Sequence, residues 1–265
     1  MSVSTILGLV FSMGLFVWSV MVSTNNYMAF IHFEGLLMVI GGTLGASFIA
    51  YEARYVIIAL KMIQSIFFVP KITRMALTNE IGRVIRWGYL VQKNGMQGLE
   101  SDVGKIKGQD KFLAFGVELV ISGYTGQEVR ETLDNTIEST FHRGVVPAEI
   151  LRSMGSNSPA FGLIACLIGL VIMFSQMASD PGNVGPGLAV GLTGTLYGVM
   201  AARLIFIPVA SKVQQREEIL RFRNYLVAEG LALLAERKSP RYIQDRMNSY
   251  LDPSLHFNID KHMKK

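Results

Sequence analysis

GLAVGLTGTLYGVMAARLIFIPVA, residues 187–210, is the stretch that decides the fold. Its 24 residues hold a single charged side chain, Arg203. A helix needs about 20 mostly apolar residues to cross the hydrocarbon core of a bilayer. Three other stretches pass the same test: Val3–Val22, Gly35–Tyr51 and Ala160–Met177. Nothing in the chain alternates with a period of two over a useful length, so strands are not expected. The predicted fold class is an all-α integral membrane protein, with four transmembrane helices and a helical cytoplasmic domain. Composition agrees: half of the 265 residues are hydrophobic and 17% are charged. The first span lacks a basic start and a small-x-small cleavage site, so it does not read as a signal peptide.

The charges give the expected direction of the spans. Neither Ser23–Glu34 nor Ala178–Pro186 contains Lys or Arg. Of the 25 Lys and Arg, 12 fall between Arg54 and Arg143 and 11 from Lys212 onward. Lys and Arg are retained on the cytoplasmic side, so both termini and the long central segment are expected there. Arg152 and Arg203 lie near span ends, where a long side chain can snorkel. The expected organisation is spans one and two in 1–52, a cytoplasmic domain in 53–151, spans three and four in 152–210, and cytoplasmic helices with a tail in 211–265. The net charge of +5 follows from this orientation and does not require nucleic acid.

Outside the membrane the pattern is helical. Val56–Phe68 is amphipathic and suits a membrane surface. Asn79–Lys93 and Phe112–Ser122 read as helices. Thr125-Gly-Gln-Glu128 has the form of a capping box opening a helix toward His142, and Pro147 is expected to restart the chain. Span four is expected to continue into water as Ser211–Arg237. Ile219, Phe222, Leu226 and Leu233 would form its packing face. Lys238-Ser-Pro240 should break that helix before a short one at Arg241–Tyr250. Asp252–Lys265 is polar and is expected to be disordered.

Spans three and four carry stripes of small residues. Gly155, Ser158, Gly162, Ala165 or Cys166, and Gly169 recur in the first. Gly187, Gly191, Gly194-Thr195, Gly198 and Ala201-Ala202 recur in the second. Such faces let helix backbones approach closely in a membrane. Ordinary packing is the simpler account. A smooth surface against which a partner's helix sits and shifts is the sharper one. Pro159 and Pro208 lie near the cytoplasmic ends of these spans, where a proline frees a carbonyl and bends the helix. The core of neither span holds Asp, Glu or His, although proton and cation relays usually need an ionisable group. If these helices line an ion path, the carboxylate comes from another chain.

The run Gly185-Pro-Gly-Leu-Ala-Val-Gly-Leu-Thr-Gly-Thr-Leu-Tyr-Gly198 with Ile207-Pro208 closely resembles the fourth span of the MotA/PomA family. Ser158-Pro-Ala-Phe-Gly-Leu-Ile-Ala-Cys-Leu-Ile-Gly169 resembles its third. The Asp180-Pro181 step, Gly41-Gly42, the size of the cytoplasmic insert and Pro240-Arg241 extend the likeness over nearly the whole chain. The resemblance implies an inner-membrane stator subunit of the flagellar motor. It implies a ring of five such chains around two copies of a single-span, peptidoglycan-anchored MotB/PomB-like partner, which supplies an aspartate. The rotor protein FliG would receive the torque.

Carried onto this sequence, the resemblance places Thr195, Cys166, Gly194, Pro159 and Pro208 along the ion pathway. It places Gly162, Gly169, Gly191 and Gly198 against the partner's helix, and Lys93, Glu100 and Gln92 at the rotor contact. Gln92 stands where the family commonly has Arg. Cys166 and Gly194 stand where sodium-driven members tend to have Thr. Sodium needs several oxygens in place of its shed water, so the resemblance with these departures implies H+ rather than Na+. No cofactor or metal is expected. An enzyme is not expected either, because no nucleophile–base pair, phosphate loop or metal spacing appears. The alternative is the related ExbB/TolQ group, which energises outer-membrane processes and usually has three spans.

Overall fold

The computed structural model describes residues 3–65, 74–100, 110–177 and 184–262, and every regular element among them is helical. Among the described residues four helices are long and apolar enough to cross a membrane. The chain divides into two compact units, Met1–Val69 with Val145–Gln215 and Pro70–Gly144 with Arg216–Lys265.

The first unit holds the spans. Helix α1 (Val3–Ser23) buries none of its apolar window within the chain, and Leu7, Phe11 and Trp18 are all largely exposed. Such an all-round apolar helix has lipid or other subunits as its proper solvent. A 3₁₀ turn at Tyr27–Phe30 leads into α2 (Phe33–Ala50). Helix α2 buries Gly35, Val39, Thr43 and Ser47, one residue per turn on a single face. Helix α3 (Ala53–Ser65) buries Val56 and Ala59 against Leu151, Met154, Val209 and Val213. It therefore packs with the spans, although the sequence grouped it with 53–151. The end of the expected helix Val56–Phe68 lies outside the described residues.

The second unit is a helical core around its last long helix. Helix α4 (Arg74–Asn94) and α5 (Lys111–Ile121) contribute Ile81, Val84, Trp87, Leu113 and Val117. Asp110 caps α5 by accepting a hydrogen bond from Leu113 N at 3.0 Å. The expected capping box is present: Thr125 N donates to Glu128 Oε2 at 2.8 Å, and Glu128 N donates to Thr125 Oγ1 at 3.3 Å. It opens α6 (Gly126–Met177), a helix of 52 residues.

Three expectations are corrected here. Pro147 does not restart the chain, because α6 runs through both Pro147 and Pro159. Each proline removes one ladder bond, while its neighbours in a long packed helix keep theirs. Helix α8 (Ile207–Ala235) does not present one apolar face. From Leu226 to Leu234 every residue is buried, so this half of the helix is the core of its unit. Finally, the polar tail is ordered as far as it is described. After α9 (Pro240–Asn248), a 3₁₀ turn at Pro253–Leu255 precedes α10 (Ile259–His262). Phe257 lies over Gly82, where a methyl group would meet its ring at 2.8 Å. Asn248 pairs with the Phe257 backbone twice, at 2.8 and 2.9 Å, and Ile259 N donates to Gln244 Oε1 at 2.7 Å. Two apolar residues in a polar stretch suffice, because polar side chains on α9 satisfy the intervening backbone.

Glu217 is half-buried against Gly144, and burial pushes its carboxyl up from 4.5. The folded state therefore holds a proton that the unfolded chain releases, and stability falls as pH rises through that window. Glu217→Gln is expected to melt higher than the parent at neutral pH, with the gap closing below pH 4.5. Thermal melts of the solubilised protein across pH check this.

Candidate functional site

The two helices with small-residue stripes pack directly on each other. Helix α7 (Val184–Met200) lies along the membrane half of α6, and glycine faces glycine. A methyl group on Gly198 would stand 2.6 Å from the Ser158 carbonyl oxygen and 3.1 Å from Pro159 Cα. One on Gly162 would meet Gly194 O at 2.8 Å, and one on Gly169 would meet Gly187 O at 3.0 Å. Gly191 rests on the Cys166 backbone and thiol. Gly162, Gly169, Gly191 and Gly198 thus serve the seam between two spans of one chain. Gly194 has a double role: it meets the Ala165 methyl on one side and Gly35 of α2 on the other.

Polar groups bridge this seam. Ser158, fully buried, donates to Gly198 O at 3.0 Å. Thr195 Oγ1 has its nearest acceptor across the seam, Gly162 O at 3.3 Å, with Gly191 O of its own helix at 3.5 Å. Thr193, two residues earlier, is buried and donates within its helix to Ala189 O or Val190 O. The Cys166 thiol is free and half-buried.

The prolines do different things to their helices. Helix α6 continues through Pro159, whose missing N–H leaves the Gly155 carbonyl without its ladder donor. Ahead of Pro208 the chain widens into a π-helical turn, Ala201–Phe206, closed by Ile207 N donating to Ala202 O. The expected kink is therefore a π-bulge. Pro208 cannot donate to Leu204, and the wider turn shifts the register before that bond is due. Arg203 lies in this turn and is exposed.

Sequence reasoning missed the anchor at the other end of α7. Tyr197 donates to Phe30 O and accepts from His32 N at 3.0 Å, and His32 Nδ1 lies 3.2 Å from Thr193 Oγ1. These contacts bind the turn between α1 and α2 to the helix carrying Thr195. They join residues 161 to 167 positions apart, a distance at which helical periodicity carries no information. The i, i+4 pairing of Thr193 and Tyr197 on one face was the available signal.

Gln92, Lys93 and Glu100 belong to the other unit. Gln92 and Lys93 are in the last turn of α4, and Glu100 follows the 3₁₀ turn Met96–Leu99. All three are exposed. Gly95, with φ of 69°, turns the chain between them. Among the described residues no His, Cys, Asp and Glu cluster could hold a metal ion.

Helix length and composition thus define four candidate membrane spans, and the structure closes the last two on a glycine seam. Residues 105–224 match the model of the MotA/TolQ/ExbB proton channel family. Motility protein A of Cereibacter sphaeroides shares 30% identity over 254 residues, 95% of this chain and 96% of that protein. Chemotaxis protein PomA of Vibrio alginolyticus shares 27% over 252 residues, 95% and 96% of the two chains. The fold is that of MotA-containing stator assemblies. The C. jejuni MotAB structure matches with a TM-score of 0.85 over 96% of this chain and 97% of its own, at 22% identity. The Bacillus subtilis flagellar MotAB stator complex matches at 0.82, with the same coverages and 21% identity. The chain belongs to the MotA/TolQ/ExbB proton channel family.

Proposed function

We propose that this chain is the ion-conducting stator subunit of a flagellar motor, coupling proton flow to torque with a MotB-like partner. The observation that carries the proposal is the α6–α7 seam, on a chain alike from end to end to motility proteins. Thr195 bridges the seam, and the apolar spans Ala160–Met177 and Gly187–Ala210 bring no carboxylate of their own. A single-span partner placed beside it would supply the aspartate that takes and releases the proton. Thr195, Cys166, Gly194, Pro159 and Pro208 are the residues proposed along that path. Lys93, Glu100 and Gln92 are proposed at the contact with FliG, in a ring of five chains around two partners, with both termini cytoplasmic.

Proton use follows from chemistry. A permeant metal cation must exchange its hydration shell for several oxygens. Here Cys166 offers sulfur, Gly194 offers no side chain, and the hydroxyls of Thr193 and Thr195 face backbone carbonyls. A protonatable aspartate needs no such cage. Deleting the gene is expected to leave filaments intact and cells paralysed. Restored cells should swim without sodium and stop with a protonophore; strict sodium dependence would overturn the ion assignment. Thr195→Val is expected to insert normally and to slow swimming several-fold. An unchanged speed would remove Thr195 from the path.

A further inference from the structure

Beside the end of α4 lies a cleft of about 200 Å³. Gly88, Val91, Gln92, Leu234, Arg237 and Lys238 line it. Its floor is apolar and tight: a methyl group on Gly88 would touch Ile243 and Pro240 at 3.3 and 3.4 Å. Two cations and no carboxylate form its lining. Lys238 is partly occupied, 3.5 Å from Glu236 and 5.9 Å from the Tyr242 ring centre. The Arg237 and Gln92 side chains are exposed and have no partner among the described residues.

Arg237 also stands where the backbone wants glycine. Its φ is 54°, the one positive value at a non-glycine position among the described residues. Its N–H donates to Leu234 O at 2.9 Å and the Lys238 N–H to Leu233 O at 3.0 Å, a Schellman turn that ends α8. That turn is most stable with glycine at the left-handed position, because an L side chain there crowds its own carbonyl. The backbone therefore gains nothing from the guanidinium, and strain held at an exposed cation beside an open cleft is a mark of function.

We propose that this cleft receives an acidic side chain of a soluble protein docking on this unit, with Arg237 as the anchoring cation. The inference rests on the flagellar reading above, which makes the rotor protein the docking partner and adds Arg237 and Lys238 to the contact near Gln92. A planar guanidinium grips one carboxylate with two parallel bonds. The apolar floor of Val91 and Leu234 takes the methylenes beneath it. One unpaired cation plus one shared with Glu236 matches a single negative charge better than a phosphate with two.

The test separates backbone from side chain. Stall torque of bead-labelled motors, membrane abundance and melting temperature of the solubilised protein are measured for Arg237→Gly and Arg237→Glu. Arg237→Gly is expected to melt no lower than the parent, yet to lose several-fold in torque. Arg237→Glu is expected to stop rotation, and an acidic-to-lysine reversal in the host's rotor protein should restore it. Parental torque in both variants would overturn the proposal. So would a lowered melting temperature in Arg237→Gly, which would mark a purely structural arginine. Loss of binding to vesicles of anionic lipid with torque unchanged would replace the protein partner by a headgroup. If cells lacking the gene swim normally, it is the flagellar reading that fails. If they are paralysed while both variants drive the motor normally, only the cleft assignment fails.

Discussion

Gly198→Val is expected to remove the protein from the membrane fraction and abolish swimming, while Gly41→Val leaves both unchanged. Both glycines lie in apolar spans, and composition does not tell them apart. At Gly41 a new methyl group meets nothing within 4 Å. At Gly198 it meets Ser158 O at 2.6 Å, Pro159 Cα at 3.1 Å and Gly162 Cα at 3.2 Å. Those atoms are backbone of a packed helix and cannot turn aside as a side chain would. The spans must separate, breaking the bond from Ser158 to Gly198 O and moving Thr195 away from Gly162 O. Overpacking a well-filled interior typically costs ~1–3 kcal/mol, and three rigid backbone contacts on the facing helix place this substitution at or above that range. Immunoblots of membrane fractions and swimming speed decide it. A Gly198→Val strain that swims normally would show that the seam has room to spare.

Arg223→Ala is expected to unfold the second unit, Pro70–Gly144 with Arg216–Lys265. The Arg223 side chain is 6% exposed and lies between two carboxylates. Its Nη2 is 2.6 Å from Glu80 Oε1 and 2.5 Å from Asp110 Oδ2, and Nη1 donates to Asn224 Oδ1 at 3.1 Å. Arg83 is 3.1 Å from the other Glu80 oxygen, but that oxygen has no aligned hydrogen bond. Arg83 is therefore a poor substitute. Removing one partner of a buried pair leaves charge without compensation and typically costs ~3–5 kcal/mol. Replacing all three charged groups with uncharged ones of similar shape is far milder. Hence Arg223→Met combined with Glu80→Gln and Asp110→Asn should recover most of the loss. The amide oxygen that Asp110→Asn introduces still accepts the capping bond of α5. Melting of the parent, Arg223→Ala and the triple variant in detergent tests the cycle, and equal stabilities for the last two would sink it.

Much of the architecture is written locally. The spans are legible because crossing a bilayer is a demand on length and composition that each segment meets alone. The Thr125–Glu128 capping box and the Ser239-Pro240 helix start are legible because a cap is made by residues three apart. The breaker at Lys238-Ser-Pro240 falls where α8 ends. Of the candidate site, the small stripes and the missing carboxylate could be read directly.

Tertiary structure decided the rest, because periodicity names a face without naming its neighbour. Only the packed chain shows that Gly162, Gly169, Gly191 and Gly198 face one another across the α6–α7 seam. Pro147 looked like a boundary, and one lost hydrogen bond was too small a cost to break a helix held by its packing. The tail looked disordered, and the pairing of Asn248 with Phe257 held it. The fold brings Glu80, 143 positions away, to Arg223. Sequence by itself determined which segments are long and apolar enough to enter a membrane and where local caps and breakers fall. Which groups meet was set by long-range packing, where burial turns a bond or a charge that water would make trivial into a determinant of the fold.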